Sequence, residues 1–419
     1  MEIAATTALC RMAQGEIGFN AGEAMALGAL IGAYQEDDAG GLRALLPLAG
    51  RTLIEYQARC LAAAGAAPIV VLVERIPVAL NEAFDRLRGE GIAVVAVSES
   101  NEAVSRFEAG SHLIVLADGI APDMGDLARL LEEGDSAILA VPDDEAHADF
   151  ERIDGTHRWA GLAKVDSGLL GATAAMLGDW DLQSTLLRRA VQAGARLLPS
   201  SPGEGRGPFL ASGEEAMAGF ERRLLVASRT AREDVVSRYV LPLVEEFATE
   251  KLMETGIRPA WLVQVAVAMT LAAAFCFTRG WDWAAVALLL LSTPLDLVAQ
   301  RLASLRMKPL GPSMLSRRLL WPAAGLALLA LGWFEARHGS GWGAMMAALS
   351  AAAFAEAGRL ERVGSATPRG EWLFSRRTAI WLAIPFVIGG WWNAYLGIMA
   401  SYAAASFFTV QHLRHRLTP

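Results

Sequence analysis

Cysteine, positive charge and a secretory leader are each scarce or missing in this sequence. Its three cysteines, Cys10, Cys60 and Cys276, lie far apart and none belongs to a CxxC pair, which excludes a disulfide framework or a zinc knuckle. The N-terminus carries Glu2 where the charged region of a signal peptide would need Lys or Arg. We therefore expect the front half of the chain to stay in the cytoplasm.

Charge is spread unevenly along the 419 residues, whose formal net charge is −8. Before Gly256 there are 22 basic and 39 acidic residues, and from Gly256 onward there are 15 and 6. The acidic front half excludes nucleic-acid binding, because that function needs a basic footprint. The chain is also 53% hydrophobic, and its mean hydropathy of +0.33 is high for a soluble enzyme. Two differently solvated halves, one of them in lipid, explain both observations.

Apolar runs of the length needed to cross roughly 30 Å of hydrocarbon, about 20 residues each, recur in the second half. They predict an all-α domain of six transmembrane helices over residues 259–419: Trp261–Thr278, Trp283–Ala299, Leu319–Glu335, Gly341–Ala357, Thr378–Trp392 and Ala394–Thr409. The connections Gln300–Arg318 and Gly358–Arg377 are rich in arginine, which places both in the cytoplasm by the positive-inside rule. The prediction is a multi-pass protein of the inner (plasma) membrane, with its N-terminal domain and its C-terminus cytoplasmic.

Residues 229–258 form the predicted connection between the two halves. Apolar and charged residues recur at helical spacing within Thr230–Thr255, which predicts an amphipathic helix along the cytoplasmic surface. Glu245, Glu246 and Glu250 make this segment a poor binder of anionic lipid. We expect it to pack against the helix bundle instead.

The first half alternates strand-like and helical patterns. Buried strands are predicted at Leu27–Ala33, Ile69–Val73, Ile92–Val97, Leu113–Leu116 and Ala137–Val141, with helices between them at Leu53–Ala64, Val78–Arg88 and Gly125–Glu133. This alternation is typical of an α/β domain with a mostly parallel sheet. Ligands of such sheets bind at the carboxyl ends of the strands, which places Gln35–Gly41 and Asp118 along one rim, with Asp143 and Asp144 as further candidates.

Three segments of this half carry a family resemblance. Leu42–Tyr56 (LRALLPLAGRTLIEY), Val115–Gly119 (VLADG) and Val165–Leu170 (VDSGLL) resemble, in order and spacing, motifs of the nucleotidyltransferases that load sugar or polyol phosphates onto a nucleotide. The resemblance implies an α/β nucleotidyltransferase-like (GT-A/Rossmann-like) domain over residues 25–228, after an extension of residues 1–24. It implies Asp118 as a catalytic residue and Mg²⁺ ligand, Arg43 in place of the family's catalytic Lys, and Gly40 and Gly41 in the nucleotide-binding loop.

The nucleotide-binding loop departs from that family's pattern. Its GxGTR form wraps the phosphates with backbone N–H groups. Here residues 32–41 include Glu36, Asp37 and Asp38, whose carboxylates would repel a triphosphate. Lys164 is the only lysine of the domain, and both a surface role and contact with an acceptor phosphate stay open. Asp37, Asp38, Asp143 and Asp144 are available to rebuild a metal site.

A second resemblance lies in the membrane half. CDP-alcohol phosphatidyltransferases carry DxxDGxxAR and, eight or nine residues later, GxxxDxxxD, whose four aspartates hold two divalent ions. Here Thr293, Asp296, Leu315 and Leu319 stand at the aspartate positions, with Gly311 at the second glycine. The resemblance implies Asp296 as catalytic residue and metal ligand. It also implies phosphate-headgroup contacts from Arg301, Gly311, Arg317 and Arg318.

One carboxylate cannot balance two divalent cations, so we predict that this membrane site is inactive. We expect Asp296 to pair with Arg301, because an unpaired carboxylate in a membrane is costly. The arginines have an alternative role as topology determinants.

The order of the two domains resembles bifunctional inositol-1-phosphate cytidylyltransferase/di-myo-inositol-phosphate phosphate synthase proteins. One hypothesis is a transferase that moves a polyol or lipid headgroup phosphate from a CDP-alcohol. The other is a catalytically degenerate scaffold or regulator of phospholipid or headgroup synthesis, which binds a nucleotide, a headgroup or a partner. A transporter is less favoured, because Asp296 and Glu356 are nearly the only charges in the spans. The expected partners are a nucleotide or CDP-alcohol, membrane lipid and a second copy in a homodimer.

Overall fold

The computed structural model describes residues 26–176, 181–200, 208–227, 234–253, 255, 257–305, 315–362 and 372–417. The chain divides into two compact units, with the first boundary after Ala227. The first is an α/β unit and the second is helical throughout its described part.

A seven-stranded sheet organises the described part of the first unit, in the order β10-β8-β9-β6-β1-β4-β5. Its strands are β1 Leu27–Gly32, β4 Ile69–Leu72, β5 Val94–Val97, β6 His112–Leu116, β8 Ala137–Pro142, β9 His157–Asp166 and β10 Arg196–Pro199. All neighbours are parallel except β9, which runs antiparallel to both β6 and β8. The expected parallel-dominated α/β sheet is confirmed. The five predicted strands all form, with ends shifted by at most two residues.

Two short antiparallel pairs lie outside this sheet. β2 Pro47–Leu48 pairs with β3 Arg51–Thr52, and β7 Ile120–Ala121 pairs with β11 Phe209–Leu210. The described helices of the unit are α1 Leu53–Ala63, α2 Val78–Gly89, α3 Ser100–Ser105, α4 Met124–Glu132, α5 Ser167–Ala174, α6 Leu182–Gln192 and α7 Glu214–Ala227. The three predicted helices correspond to α1, α2 and α4.

Helix starts follow local capping chemistry. α1 begins with a capping box, in which Thr52 and Glu55 satisfy each other's free groups. Asp123 caps α4 by accepting from Gly125 N and Asp126 N. Asp166 ends β9 and caps α5, so the VDSGLL segment joins a strand end to a helix start.

The sheet is buried on both faces, as expected for parallel strands covered by helices. Along β1, Ala29 and Ile31 enter one apolar cluster, while Leu30 enters another on the opposite face. Alternate residues of β1 therefore pack into the apolar clusters on the two opposite faces of the sheet. β1 is an interior strand of the sheet, with β4 on one side and β6 on the other.

The described part of the second unit contains two short helices and six longer ones. They are α8 Val235–Tyr239, α9 Pro242–Met253, α10 Pro259–Thr278, α11 Asp282–Leu305, α12 Leu315–Glu335, α13 Trp342–Arg362, α14 Arg376–Gly389 and α15 Trp392–Leu417. Within the described residues, three helices are long and apolar enough to cross a membrane: Pro259–Thr278, Asp282–Ala303 and Leu319–Gly339. The other three predicted spans correspond to α13, α14 and α15, and their crossing stays a prediction, as does the orientation.

The connecting segment forms two helices, α8 and α9, where a single amphipathic helix was predicted. Val236 and Leu241 are buried together with Asp234, Ser237 and Glu245, whereas Tyr239 and Phe247 are both 67% exposed. Both helices are ion-paired to longer helices of this unit, as described below. The segment therefore packs against these helices with apolar and polar residues together.

Candidate functional site

The order of the strands creates one topological switch point, between β1 and β6. The chain moves from β1 to β4 and β5 on one side, and then returns to β6 on the other side of β1. Ligands of α/β sheets bind in the crevice at such a point, beyond the carboxyl ends of the strands. Tyr34 and Gln35 follow β1 there, and Asp118 follows β6.

Asp118 closes this crevice with its own carboxylate. Its Oδ2 accepts the backbone N–H groups of Tyr34 and Gln35, at 2.6 Å each. Its Oδ1 is buried without a hydrogen-bond partner among the described residues. Two successive backbone amides form the kind of concave donor pair that binds a phosphate oxygen. In this chain the carboxylate of Asp118 lies in that position.

Burial sets the protonation of Asp118. The residue is 3% exposed, and the loss of solvation raises its pKa from 3.8 to about 6. The two backbone amides and the positive charge of Arg43 oppose this shift without cancelling it. A carboxyl group with a raised pKa in a cleft is a functional-site candidate on physical grounds.

Arg43 is held by the loop that follows β1. Its Nη1 donates to Gln35 Oε1 at 2.8 Å, and its Nε donates to the carbonyl oxygen of Glu36 at 3.0 Å. The guanidinium lines the same cavity as Asp118. The structure therefore brings together Arg43 and Asp118, as the sequence predicted, although Arg43 is engaged with its own loop.

Gly40 and Gly41 belong to a turn that satisfies its own backbone. Gly40 N donates to the carbonyl oxygen of Asp37, and Gly41 N donates to Asp37 Oδ1 at 2.7 Å. Gly40 has a φ of +80°, which this tight turn requires and which only glycine adopts freely. The amides that the family resemblance assigned to a nucleotide are thus bonded to Asp37.

The cavity at the switch point has a volume of about 120 Å³ and is strongly acidic. Four carboxylate residues line it, Asp118, Asp149, Glu151 and Asp181, against the single cation of Arg43 among the described lining residues. Burial raises the pKa of Glu151, and the negative charge of Asp181 raises it further. The walls also include the aromatic rings of Tyr34, Phe150 and Trp159.

Three of these carboxylates were not predicted from the sequence. Asp181 caps α6 through Ser184 N at 2.7 Å and accepts from the hydroxyl of Tyr34 at 2.7 Å. Glu151 accepts from Ser184 Oγ at 3.0 Å. The N-cap position of Asp181 is visible in the sequence, but its approach to β1 depends on the antiparallel return of β9, which is not.

Three of the four reserve carboxylates that the sequence offered for a metal are bonded elsewhere. Asp143 forms ion pairs with Arg152 and Arg158, both at 2.5 Å, and Asp144 caps a helical turn at His147. Asp37 holds the turn described above.

Lys164 matches neither role considered for it. It is 6% exposed and donates to the carbonyl oxygen of Glu133 at 2.5 Å, and it lies outside the cavity lining.

In the second unit, Asp296 forms a buried ion cluster. Arg377 Nη2 donates to Asp296 Oδ2 at 2.7 Å, and Gln300 Nε2 donates to Oδ1 at 3.0 Å. Arg376 lies 3.5 Å from the same Oδ2. Arg377 also reaches Asp234 at 2.8 Å, which ties α8 to α14. Both oxygens of Asp296 are therefore bonded within the chain.

The expected pair between Asp296 and Arg301 is wrong. Arg301 is buried and forms an ion pair with Glu245 of α9 at 3.1 Å. The partners of Asp296 come from α14, about 80 residues later in the chain, which local spacing cannot show. Gly311 lies outside the described residues. Leu315, Arg317 and Arg318 lie on the first turn of α12, where only the backbone is described.

Neither place fits a magnesium ion. Mg²⁺ prefers near-ideal octahedral oxygen coordination. Within the described ranges, no group of three or more His, Cys, Asp or Glu side chains could hold a metal ion. Asp118 offers one oxygen without a partner, and Asp296 offers none. The described residues therefore do not supply a metal site at either position.

Comparison with known proteins gives a structural likeness over the N-terminal half. No protein-family profile and no curated protein matches the sequence. Among solved structures, CTP:phosphocholine cytidylyltransferase from Streptococcus pneumoniae is 14% identical, with a TM-score of 0.35, covering 48% of this chain and 100% of that one. A putative glucose-1-phosphate thymidylyltransferase from Bacillus anthracis is 11% identical, with a TM-score of 0.35, covering 47% of this chain and 96% of that one.

Proposed function

We propose that this protein is a membrane-anchored, catalytically degenerate relative of the nucleotidyltransferases, which binds a small ligand and acts as a scaffold or regulator of headgroup synthesis. The observation that carries the proposal is the position of the Asp118 carboxylate. It occupies the two amides, of Tyr34 and Gln35, that an incoming phosphate would need. The loop amides of Gly40 and Gly41 are equally committed, to Asp37.

The charge of the cavity supports a ligand other than a nucleoside triphosphate. Asp149, Glu151 and Asp181 add to Asp118 in a space of about 120 Å³, and Arg43 alone opposes them among the described lining residues. Like charges that line one small, partly buried cavity repel each other more strongly than they would in water. A small polar molecule with a positive charge, such as an amino alcohol, suits these walls better than an anion.

The membrane half supports binding rather than transfer for the same reason. Asp296 is bonded to Arg377, Gln300 and Arg376, and hydrophobic or hydroxyl side chains replace the other three aspartates of the resembled motif. Removing this carboxylate from its arginines to bind a metal would leave the buried Arg376 without its carboxylate partner and Arg377 with Asp234 alone. We propose a multi-pass protein of the inner membrane, with the α/β unit on the cytoplasmic side.

An active nucleotidyltransferase remains the second candidate, because one observation favours it. Asp118 lines the switch-point cavity, its buried Oδ1 has no partner among the described residues, and the pKa of this carboxyl is about 6. A partnerless carboxylate oxygen is available to a metal, or to a substrate proton. This candidate requires further metal ligands from water or from the substrate.

Calorimetry on the purified full-length protein tests the two candidates. We expect no magnesium-dependent binding of CTP, and measurable binding of ethanolamine or choline that is lost in Asp181→Asn. Asp166→Asn is the matched control, because it also removes the charge of a helix N-cap but lies outside the cavity lining. Magnesium-dependent CTP binding that disappears in Asp118→Ala would overturn the proposal in favour of the transferase.

A further inference from the structure

A cavity lies among the long helices of the second unit. It has a volume of about 330 Å³ and is lined by residues of α10 to α15, together with Phe374 just before α14. Its walls are almost entirely apolar, and small residues such as Gly325, Ala352 and Ala355 leave the space open. Packed protein interiors contain few voids larger than a water molecule. A cavity of this size therefore points to an occupant.

Arg376 gives the cavity one charged end. Its side chain is only 6% exposed. Over the described part of the chain, its hydrogen bonds are two contacts at 3.5 Å, to Ser292 Oγ and Asp296 Oδ2. A guanidinium has five N–H donors, and buried donors are normally satisfied. The short bond to Asp296, at 2.7 Å, belongs to Arg377. Arg376 thus keeps donor capacity for an anionic group in the cavity.

Glu356 is the other charged residue in the lining, and it does not fill that need. Both of its carboxylate oxygens bind Arg359, one turn further along the same helix. Its charge is therefore neutralised within α13. Among the described lining residues, Arg376 is therefore the charged group whose hydrogen bonds, both 3.5 Å long, leave it able to donate to a ligand.

The lining of the cavity extends along α14. Arg376 begins α14, and Trp392, also in the lining, follows the end of that helix. A helix of 14 residues is about 20 Å long. Lining residues at both ends of this helix suit an elongated apolar ligand, of which a hydrocarbon chain is the simplest.

We propose that this cavity binds a single-chain anionic amphiphile, with its chain between α12, α13 and α14 and its charged head on Arg376. Long-chain carboxylates and lysophosphatidates share the required chemistry, namely one apolar chain with one anionic end.

Binding to the full-length protein in lipid nanodiscs tests this proposal, with radiolabelled palmitate, lysophosphatidate and hexadecanol as probes. We expect saturable binding of at least one of the two anionic probes, and the comparison between them identifies the preferred head. In Gly325→Leu the new side chain enters the cavity, since the nearest atom to its Cβ would be Ala352 Cβ at 3.9 Å. We expect this variant to lose binding by about tenfold or more.

Gly397→Leu is the matched control, because it places the same side chain at a position of α15 that is not part of the lining, with nothing within 4 Å of its Cβ among the described atoms. Its binding should equal that of the unmodified protein. Equal binding by Gly325→Leu, or no saturable binding of either anionic probe, would overturn the proposal.

Arg376→Gln provides a readout that does not depend on filling the cavity. Loss of a charge-assisted hydrogen bond should weaken palmitate binding by about tenfold or more, while hexadecanol binding changes little. An equal loss for both probes would mean that Arg376 only maintains the fold, and would refute its role as the head-binding group.

Discussion

The raised pKa of Asp118 makes a quantitative prediction about the stability of the α/β unit. Its pKa rises from 3.8 to about 6 on folding, because burial disfavours the charged carboxylate. Between these two values the folded protein holds a proton that the unfolded chain releases. The contribution of Asp118 to stability is therefore fully present below pH 3.8 and is lost as pH rises through about 6. A shift of about 2 units corresponds to about 3 kcal/mol of unfolding free energy.

Asp118→Asn is the perturbation that isolates this contribution. An asparagine can turn its carbonyl oxygen toward the amides of Tyr34 and Gln35, and its amino group then takes the position of the partnerless Oδ1. The neutral side chain cannot titrate. Between pH 4 and pH 7 we therefore expect the unfolding free energy of this variant to fall by about 3 kcal/mol less than that of the unmodified protein. Pulse proteolysis of the full-length protein in urea measures the α/β unit at each pH.

The comparison must separate Asp118 from other buried carboxyl groups. Burial also raises the pKa of Glu151 and Glu221, so the unmodified protein has further contributions of the same sign. Only the difference between the unmodified protein and Asp118→Asn reports on Asp118. The reasoning is refuted if Asp118→Asn retains the same slope as the unmodified protein.

Two further predictions concern the ion cluster and the sheet. Asp296→Asn should destabilise the second unit by about 3 kcal/mol in thermal unfolding, because it removes the carboxylate partner of Arg376 and one of the two carboxylate partners of Arg377. Asp282 is bonded only to Trp392 Nε1 among the described residues, so Asp282→Asn should change the stability by less than about 1 kcal/mol. Gly161→Ala should lower the free energy of urea unfolding by about 2 kcal/mol, because φ of Gly161 is +85° and the new Cβ would overlap Ile120. Gly155→Ala, with open space around the new Cβ, should change it by no more than about 0.5 kcal/mol. Equal effects of the two variants would contradict the steric argument.

Local patterns predicted those strands that are buried continuously. β1 and β4 are runs of apolar residues covered on both faces, so their sequences identify them directly. β9 was not predicted as a full strand because His157, Arg158 and Lys164 interrupt its apolar pattern. Its register depends on pairing with β6 and β8, which is a non-local property.

The candidate site was predicted in part for the same reason. Asp118 was found because a polar residue after a buried strand marks the rim of a parallel sheet. Asp149, Glu151 and Asp181 reach that rim only through the return of β9 and the start of α6. In the membrane half, Arg376 and Arg377 were interpreted as topology determinants. Their pairing with Asp296, across about 80 residues, requires the packed helices.

Asp118 and Asp296, the two aspartates that resemble metal ligands, are both buried but differ in their hydrogen-bond partners. A buried carboxylate without a metal must obtain donors from its own chain, or it becomes protonated. Asp296 obtains charged donors, from Arg377 at 2.7 Å and Arg376 at 3.5 Å, and is fully engaged. Asp118 obtains two neutral amides on one oxygen, while the other oxygen has no partner among the described residues.

This difference decides which of the two sites can still bind a positively charged ligand. At Asp296, any cation that approaches must displace arginines that are themselves buried, and their loss of a counter-charge opposes the exchange. At Asp118, a positively charged ligand meets a carboxyl group that titrates near pH 6 and three further acidic residues in the same cavity. Ligand binding in the α/β unit is therefore expected to depend on pH in the range from 5 to 7, whereas the ion cluster of the membrane half serves the packing of α8, α11 and α14.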